Sequence, residues 1–233
     1  MIMNEPTPNK DKQLKIVVDG FCVARFPIRT KIITQSDILE DIITQYAKPH
    51  LKAGDILCVS ERIVAIIQGR AWPIDQIKPS FVARFLVRFV HKSPYGIGLA
   101  SPWTMELAVR EAGVARLLFA ALCSALTKPF GVRGVFYKVI GKNINAIDGP
   151  CDYTLPPFNR YAKLGPRDPD GVARALKGIT GVSVAIIDAN DLGVAVLGRS
   201  DDLLNVSWIQ NVFKDNPLGQ SKEQTPMAIV RKC

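Results

Sequence analysis

Histidine is nearly absent: His50 and His91 are the only two in 233 residues, so a histidine-rich metal site is not expected. Cysteine is sparse as well. Cys22, Cys58, Cys123, Cys151 and Cys233 are scattered, odd in number and form no Cys-x-x-Cys pair. That pattern argues against a thiolate zinc site and a disulfide framework, and it suits a reducing cytoplasm. Long apolar runs are missing too. The longest is Leu117–Leu126, LLFAALCSAL, between Arg116 and Lys128. It is far short of the ~20 residues a membrane span requires and reads as a core helix. A soluble, cytoplasmic protein with no membrane partner is the expectation. Met1–Lys12 is polar, contains Pro6 and Pro8, and has no signal-peptide character.

Common catalytic motifs are also lacking. The Gly141-Lys142 pair precedes Asn143, and Phe136 stands where a P-loop requires glycine. Gly96-Ile-Gly98 has no third glycine and follows no strand, so a dinucleotide fold gains no support. No Gly-x-Ser-x-Gly elbow exists for a serine hydrolase.

What is present begins with charge. The net charge is +9, with 48% hydrophobic and 22% charged residues. Such a chain attracts polyanions: nucleic acid, anionic lipid, or a nucleotide with an acidic substrate. The densest basic segment is KPSFVARFLVRFVHK, residues 78–92. Arg84, Arg88 and Lys92 recur at helical spacing, as do Phe81, Phe85 and Phe89. A mostly buried amphipathic helix with a solvated basic edge explains this, and no RNA-recognition or zinc-finger signature accompanies it. Nucleic acid is therefore not the expected partner.

Along the chain, residues 14–28 read as a hairpin turning at Asp19-Gly20. A helix capped at Ser36 or Asp37 and ended near Pro49 follows, then the buried strand ILCVS. Residues 80–92 and 103–126 carry helical patterns, the second opening near Thr104 and closing at Lys128-Pro129. GVRGVFYKVIGKNINAIDGP reads as strand, turn and strand. Asp168 caps the helix GVARALKGIT, which leads to the strand VAII; QTPMAIVRK supplies the C-terminal strand. The expected fold is α+β with a largely antiparallel sheet. Residues 1–13 are expected as a disordered tail and 14–233 as a single catalytic domain, with a helical sub-domain around 80–128.

Carboxylates supply the chemistry. NAIDGPCD holds Asp148 and Asp152, and IIDAND holds Asp188 and Asp191. Each pair follows an apparent strand, and strands ending at one sheet edge would bring Asp148 and Asp188 together. Adjacent carboxylates repel unless a proton or cation intervenes. Mg²⁺ or Mn²⁺ on one or two carboxylates plus phosphate oxygens is usual at phosphoryl-transfer sites. A turn built by Asp and Asn side chains is the plainer reading of 188–191. The polar loop 215–226 could cover such a site with its backbone N–H groups.

The segments GDILCVSERIVAIIQGR, INAIDGP, LGPRDPDGVARAL, VAIIDANDLG and DNPLGQSKEQTPMAIVR, in that order, resemble the coenzyme F420-0:γ-glutamyl ligase family, especially its bacterial branch. The likeness runs from about Val17 to Arg231. It implies a homodimeric, GTP-dependent enzyme that joins the amine of glutamate to the carboxylate of an acidic small-molecule acceptor. It implies a divalent metal, Mg²⁺ or Mn²⁺, held by Asp148, Asp188 and Gln220. Nucleotide contacts are implied at Arg62 and in the loop Gly219-Gln220-Ser221-Lys222. Glu61-Arg62 replaces the family's Ser-Lys pair, and Arg70 closes the same motif. Ser221-Lys222-Glu223-Gln224 replaces most of the glycines of the family loop. Arg62, Lys138 and Lys142 are candidate phosphate or carboxylate clamps, although for each lysine alone a solvated surface role is the plainer reading. The altered loop leaves a second reading open, a non-catalytic nucleotide- and metal-binding protein on the same fold.

Overall fold

The computed structural model describes residues 6–90, 98–132, 134–141, 144–190 and 193–233. Lys142 and Asp191 lie outside the described residues. The chain divides into two compact units, residues 1–68 with 166–233, and residues 69–165.

The first unit is built on a six-stranded sheet. Its chain runs β1 (Lys15–Val18), β2 (Phe21–Ile28), α1 (Leu39–Ile42), β3 (Ile56–Ser60) and α2 (Glu61–Ile67). The second unit follows with β4 (Ala71–Pro73), α3 (Phe81–Leu86), α4 (Pro102–Ala112), α5 (Val114–Thr127), α6 (Val135–Ile140) and β5 (Tyr161–Lys163). The first unit resumes with α7 (Pro169–Thr180), β6 (Ser183–Asn190), β7 (Gly193–Arg199), α8 (Val206–Val212) and β8 (Met227–Lys232). Strand order in the large sheet is β1-β2-β8-β3-β6-β7, and every pairing is antiparallel except β3 with β6. The α+β class and the largely antiparallel sheet hold.

Both faces of that sheet are covered, which is why its strands read as continuous apolar runs. Leu57, Val59, Val184, Ile186 and Ile229 point to one core with Ile42, Val64 and Leu176 of the helices. Their neighbours Cys58, Ala185, Ile187 and Ala228 point to a second core with Ile209, Val212 and Phe213. The period of two along each strand sorts the residues between the layers.

Several local expectations differ. The first helix begins at Leu39, after Ile38, with no side-chain cap. Asp37 instead accepts from the Thr34 backbone at 2.7 Å, closing a turn before the helix. Past Ile42 the helix widens into a π turn over Ile43–Ala47 and tightens over Lys48–His50, where Pro49 sits. The 103–126 pattern is two helices broken at Gly113 (φ 81°). Ser101 opens the first of them: its Oγ accepts from Thr104 N at 3.1 Å, and Thr104 Oγ1 accepts from Ser101 N at 3.3 Å. VFYKVI, expected as strand, is helical, and Ile144–Ala146 is a 3₁₀ turn. Tertiary packing outweighs strand propensity here, because Ile140 and Ile144 are drawn into the core of the second unit. The aromatic stripe expected inside is outside: Phe81 and Phe89 are 83% and 74% exposed.

The cysteine expectation is corrected too. Cys22 and Cys233 form a disulfide with Cα atoms 5.3 Å apart. Pairing of Val23 with Lys232 across β2 and β8 makes them the next facing pair. Among the described residues no helix is long and apolar enough to cross a membrane.

Candidate active site

Strand directions gather the site residues of the first unit. Ile28 and Val59 both face Met227, and Ser60 faces Ile187 in the parallel pairing. The carboxyl ends of β2, β3 and β6 and the amino end of β8 therefore share one sheet edge. In open sheets, ligands bind outside the carboxyl ends of parallel strands. Arg62, Asp188 and the loop before β8 all leave from this edge. Two backbone bonds fasten the loop to it: Thr30 N donates to Gln224 O at 2.9 Å, and Ser60 N to Pro226 O at 2.8 Å.

Asp188 does not end its strand. β6 runs on to Asn190, with Asp188 facing Ala195 and Asn190 facing Gly193 of β7. A register shift lies just before it, between Ile186 and Ile187. Such a bulge bends the strand and re-aims the side chains beyond it. Asp188 and Asn190 share one face at spacing two, and Asn190 Nδ2 donates to Asp188 Oδ1 at 3.3 Å. The half-buried carboxylate is thereby oriented by its own strand.

Arg62 sits in the first turn of α2, where Ser60 Oγ accepts from its backbone N at 3.4 Å. Glu61 before it is buried.

The loop 213–226 is held from beneath. Arg25, wholly buried, pairs with Asp215 through its two terminal guanidinium nitrogens and donates to the carbonyls of Val212 and Gln13. Burial pushes the Asp215 carboxyl up, but the Arg25 guanidinium outweighs it and holds the group below the usual carboxylate range. From Asn9 onward the expected tail makes contacts. Asn9 Nδ2 donates to Thr225 Oγ1 at 2.7 Å and to Pro217 O at 2.9 Å. Above this base Asn216 Nδ2 donates to Gly219 O at 3.2 Å, beside Gln220. Glu223 folds back to accept from Ser221 N at 2.8 Å and Ser221 Oγ at 3.1 Å. Gly219 has φ 78°, which favours glycine, and a Cβ there would lie 2.5 Å from Glu223 Cδ, so the Glu223 side chain would have to move. Ser221 and Lys222 are exposed at the tip.

Asp148 belongs to the second unit. The expected route, two strands of one sheet ending together, is not how it is positioned. It follows a 3₁₀ turn and forms an isolated antiparallel bridge with Lys163. Lys163 is buried; its Nζ donates to Ala146 O at 2.8 Å and lies 3.8 Å from Asp148 Oδ2. Sequence reasoning did not reach Lys163, fifteen residues away in a loop-rich stretch. Asp152 and Lys138 are exposed, the latter on α6. Arg70 is structural: its Nε donates to Gly165 O at 2.6 Å and its Nη2 lies 3.0 Å from Glu111.

Asp188 and Gln220 of the first unit offer only oxygen donors, as does Asp148 of the second, and oxygen donors suit a hard cation such as Mg²⁺ or Mn²⁺ and no soft one. Among the described residues no group of three or more His, Cys, Asp and Glu is placed to hold a metal ion. A cavity of about 290 Å³ opens elsewhere in the first unit, among Leu39, Val64, Ile67, Val172 and Leu176. It contains none of the expected site residues.

No curated protein matches the chain. A family model does: that of the F420-0:Gamma-glutamyl ligases matches residues 27–191. The matched segment includes Arg62, Asp148 and Asp188 and stops short of the Gly219–Lys222 loop. It covers most of the chain, and the protein belongs to the F420-0:gamma-glutamyl ligase family.

Proposed function

We propose that this protein couples the hydrolysis of GTP to amide formation between glutamate and the carboxylate of a small acidic acceptor. Membership of the family supports the glutamate-adding ligase activity itself. The nucleotide, the metal ion and the activated intermediate are our reading. Its main support is the convergence of Arg62, Asp188 and the Arg25-anchored loop on one edge of the sheet.

A carboxylate does not acylate an amine at neutral pH. In our reading an acceptor carboxylate oxygen attacks the γ-phosphorus of GTP, GDP leaves, and an acyl phosphate forms. The glutamate amine, after losing a proton, then attacks the acyl carbon and inorganic phosphate departs. Arg62 offers a planar cation for phosphate or carboxylate oxygens. Lys222 adds positive charge at the loop tip. Asn190 holds the orientation of Asp188, and Lys163 holds that of Asp148. A divalent cation held by Asp188 and Gln220 would neutralise charge on the phosphates. Homodimerisation belongs to the same proposal and follows from the family likeness.

Thermal unfolding with GTP or ATP, each with and without Mn²⁺, tests the reading on wild type and Asp188→Asn. Nucleotide at about a hundred times its Kd adds ~2.7 kcal/mol, about 5–10 °C for a chain of this size. The expected result is a GTP shift that requires Mn²⁺ and vanishes in the variant. No shift with either nucleotide, or an equal shift in Asp188→Asn, overturns it.

A further inference from the structure

The second unit carries an apolar surface that its own core does not use. α5 buries only Leu117 and Ala120. Leu118, Phe119, Leu122 and Leu126 are exposed on its outer side, and Phe130 in the next turn is 83% exposed. Steps of three and four residues align them as one stripe. Single exposed apolar side chains are ordinary, but a continuous row along a helix marks a contact surface.

Charge says what kind of contact. Exposed Arg116 and Lys128 bracket the stripe. From Gly113 to Ile147 the sequence contains Arg116, Lys128, Arg133, Lys138 and Lys142 and no carboxylate. The pattern repeats on α3 and the turn after it: Phe81, Phe85 and Phe89 are exposed, Phe85 stacking on Phe81 and meeting Phe89 edge-on. Arg84 and Arg88 are exposed beside them, and no acidic residue occurs between Asp75 and Glu106.

We propose that this surface docks on an anionic lipid headgroup layer, with the α5 stripe at the acyl boundary and its cations among the headgroups. A projecting helix with an apolar outer face, cationic ends and a packed inner face is built to lie in an interfacial plane. A second copy of the chain is the poorer occupant. Antiparallel pairing about Leu122 would set Arg116 against Lys128 of the second copy, with no carboxylate in the segment to offset the repulsion. Nucleic acid has no use for the aliphatic part of the stripe. The sequence expectation of no membrane partner rested on span length, which excludes crossing a bilayer and not lying on one.

The test is co-sedimentation of the whole chain with vesicles of phosphatidylcholine alone or mixed with phosphatidylglycerol, at low and high salt. Binding is expected on the anionic vesicles, roughly tenfold or more weaker on neutral ones, and reduced by salt, because each surface cation contributes about fivefold. Leu122→Asp should weaken it by at least roughly tenfold, with circular dichroism reporting whether the fold is kept. Phe130→Ser, in an exposed turn, provides the same readout if Leu122→Asp does not fold. No binding to anionic vesicles, equal binding to neutral ones, or binding indifferent to both substitutions overturns the proposal. So does a dimer in ultracentrifugation that Leu122→Asp splits while wild type ignores vesicles; the face then belongs to a second copy.

Discussion

Arg25 has a fully buried cation in a strand otherwise made of apolar residues. It persists because both terminal nitrogens of its guanidinium are met, by the Asp215 carboxylate, by Val212 O at 2.8 Å and by Gln13 O at 2.8 Å, while its buried Nε has no hydrogen-bond partner. Removing one partner of such a set strands the others. Arg25→Met should therefore lower stability by about 3 kcal/mol, measured by urea unfolding, and loosen the loop that carries Gln220. A pH dependence follows from Asp215. Its folded pKa lies below the ordinary value. The stabilisation is then complete above the unfolded carboxylate pKa of about 4 and is lost as pH falls through the lower, folded value. Acid titration of the unfolding midpoint should show that loss in wild type and less of it in Asp215→Asn.

At the scale of elements, legibility followed how local the determining force was. VAII, ILCVS and MAIVRK announce themselves as buried strands because both faces of the sheet are covered. The Asp168 cap was also readable: its side chain accepts from Gly171 N at 3.0 Å, three residues on. The β-branched and aromatic run VFYKVI misled, since its helix exists only through packing within the second unit. Lys163 and the Cys22–Cys233 pair were invisible because each depends on a partner brought near by the fold. Asp188 was found, but its strand continues past it, and nothing in the sequence foretells the bulge. β7 hides a similar dependence at Gly198. A Cβ there would lie 2.3 Å from the backbone carbon of Pro169, where α7 begins against the strand. Gly198→Ala should force the two elements apart, costing about 3 kcal/mol in chemical unfolding, although the position looks unremarkable in sequence.

For the molecule as a whole, the disulfide joins β2 to the end of β8 across a sequence separation of 211 residues. Closing so long a loop restricts the unfolded chain, and the native pair already faces across the sheet. Reduction should lower stability by about 2–4 kcal/mol, read as a fall in Tm with dithiothreitol that Cys233→Ser reproduces and reductant no longer changes.

The sheet order has a consequence for the time course of synthesis. β8 comes after every other strand in the sequence, yet it lies between β2 and β3. Residues 69–165, with a core of their own, leave the ribosome whole while β1, β2 and β3 still await their central neighbour. Until residues 227–232 emerge, the β1–β2 hairpin has nothing to join it to β3, and two hydrogen-bonding edges stand open. The nascent protein is thus exposed to mispairing until β8 arrives, when every other strand of its sheet has already been translated.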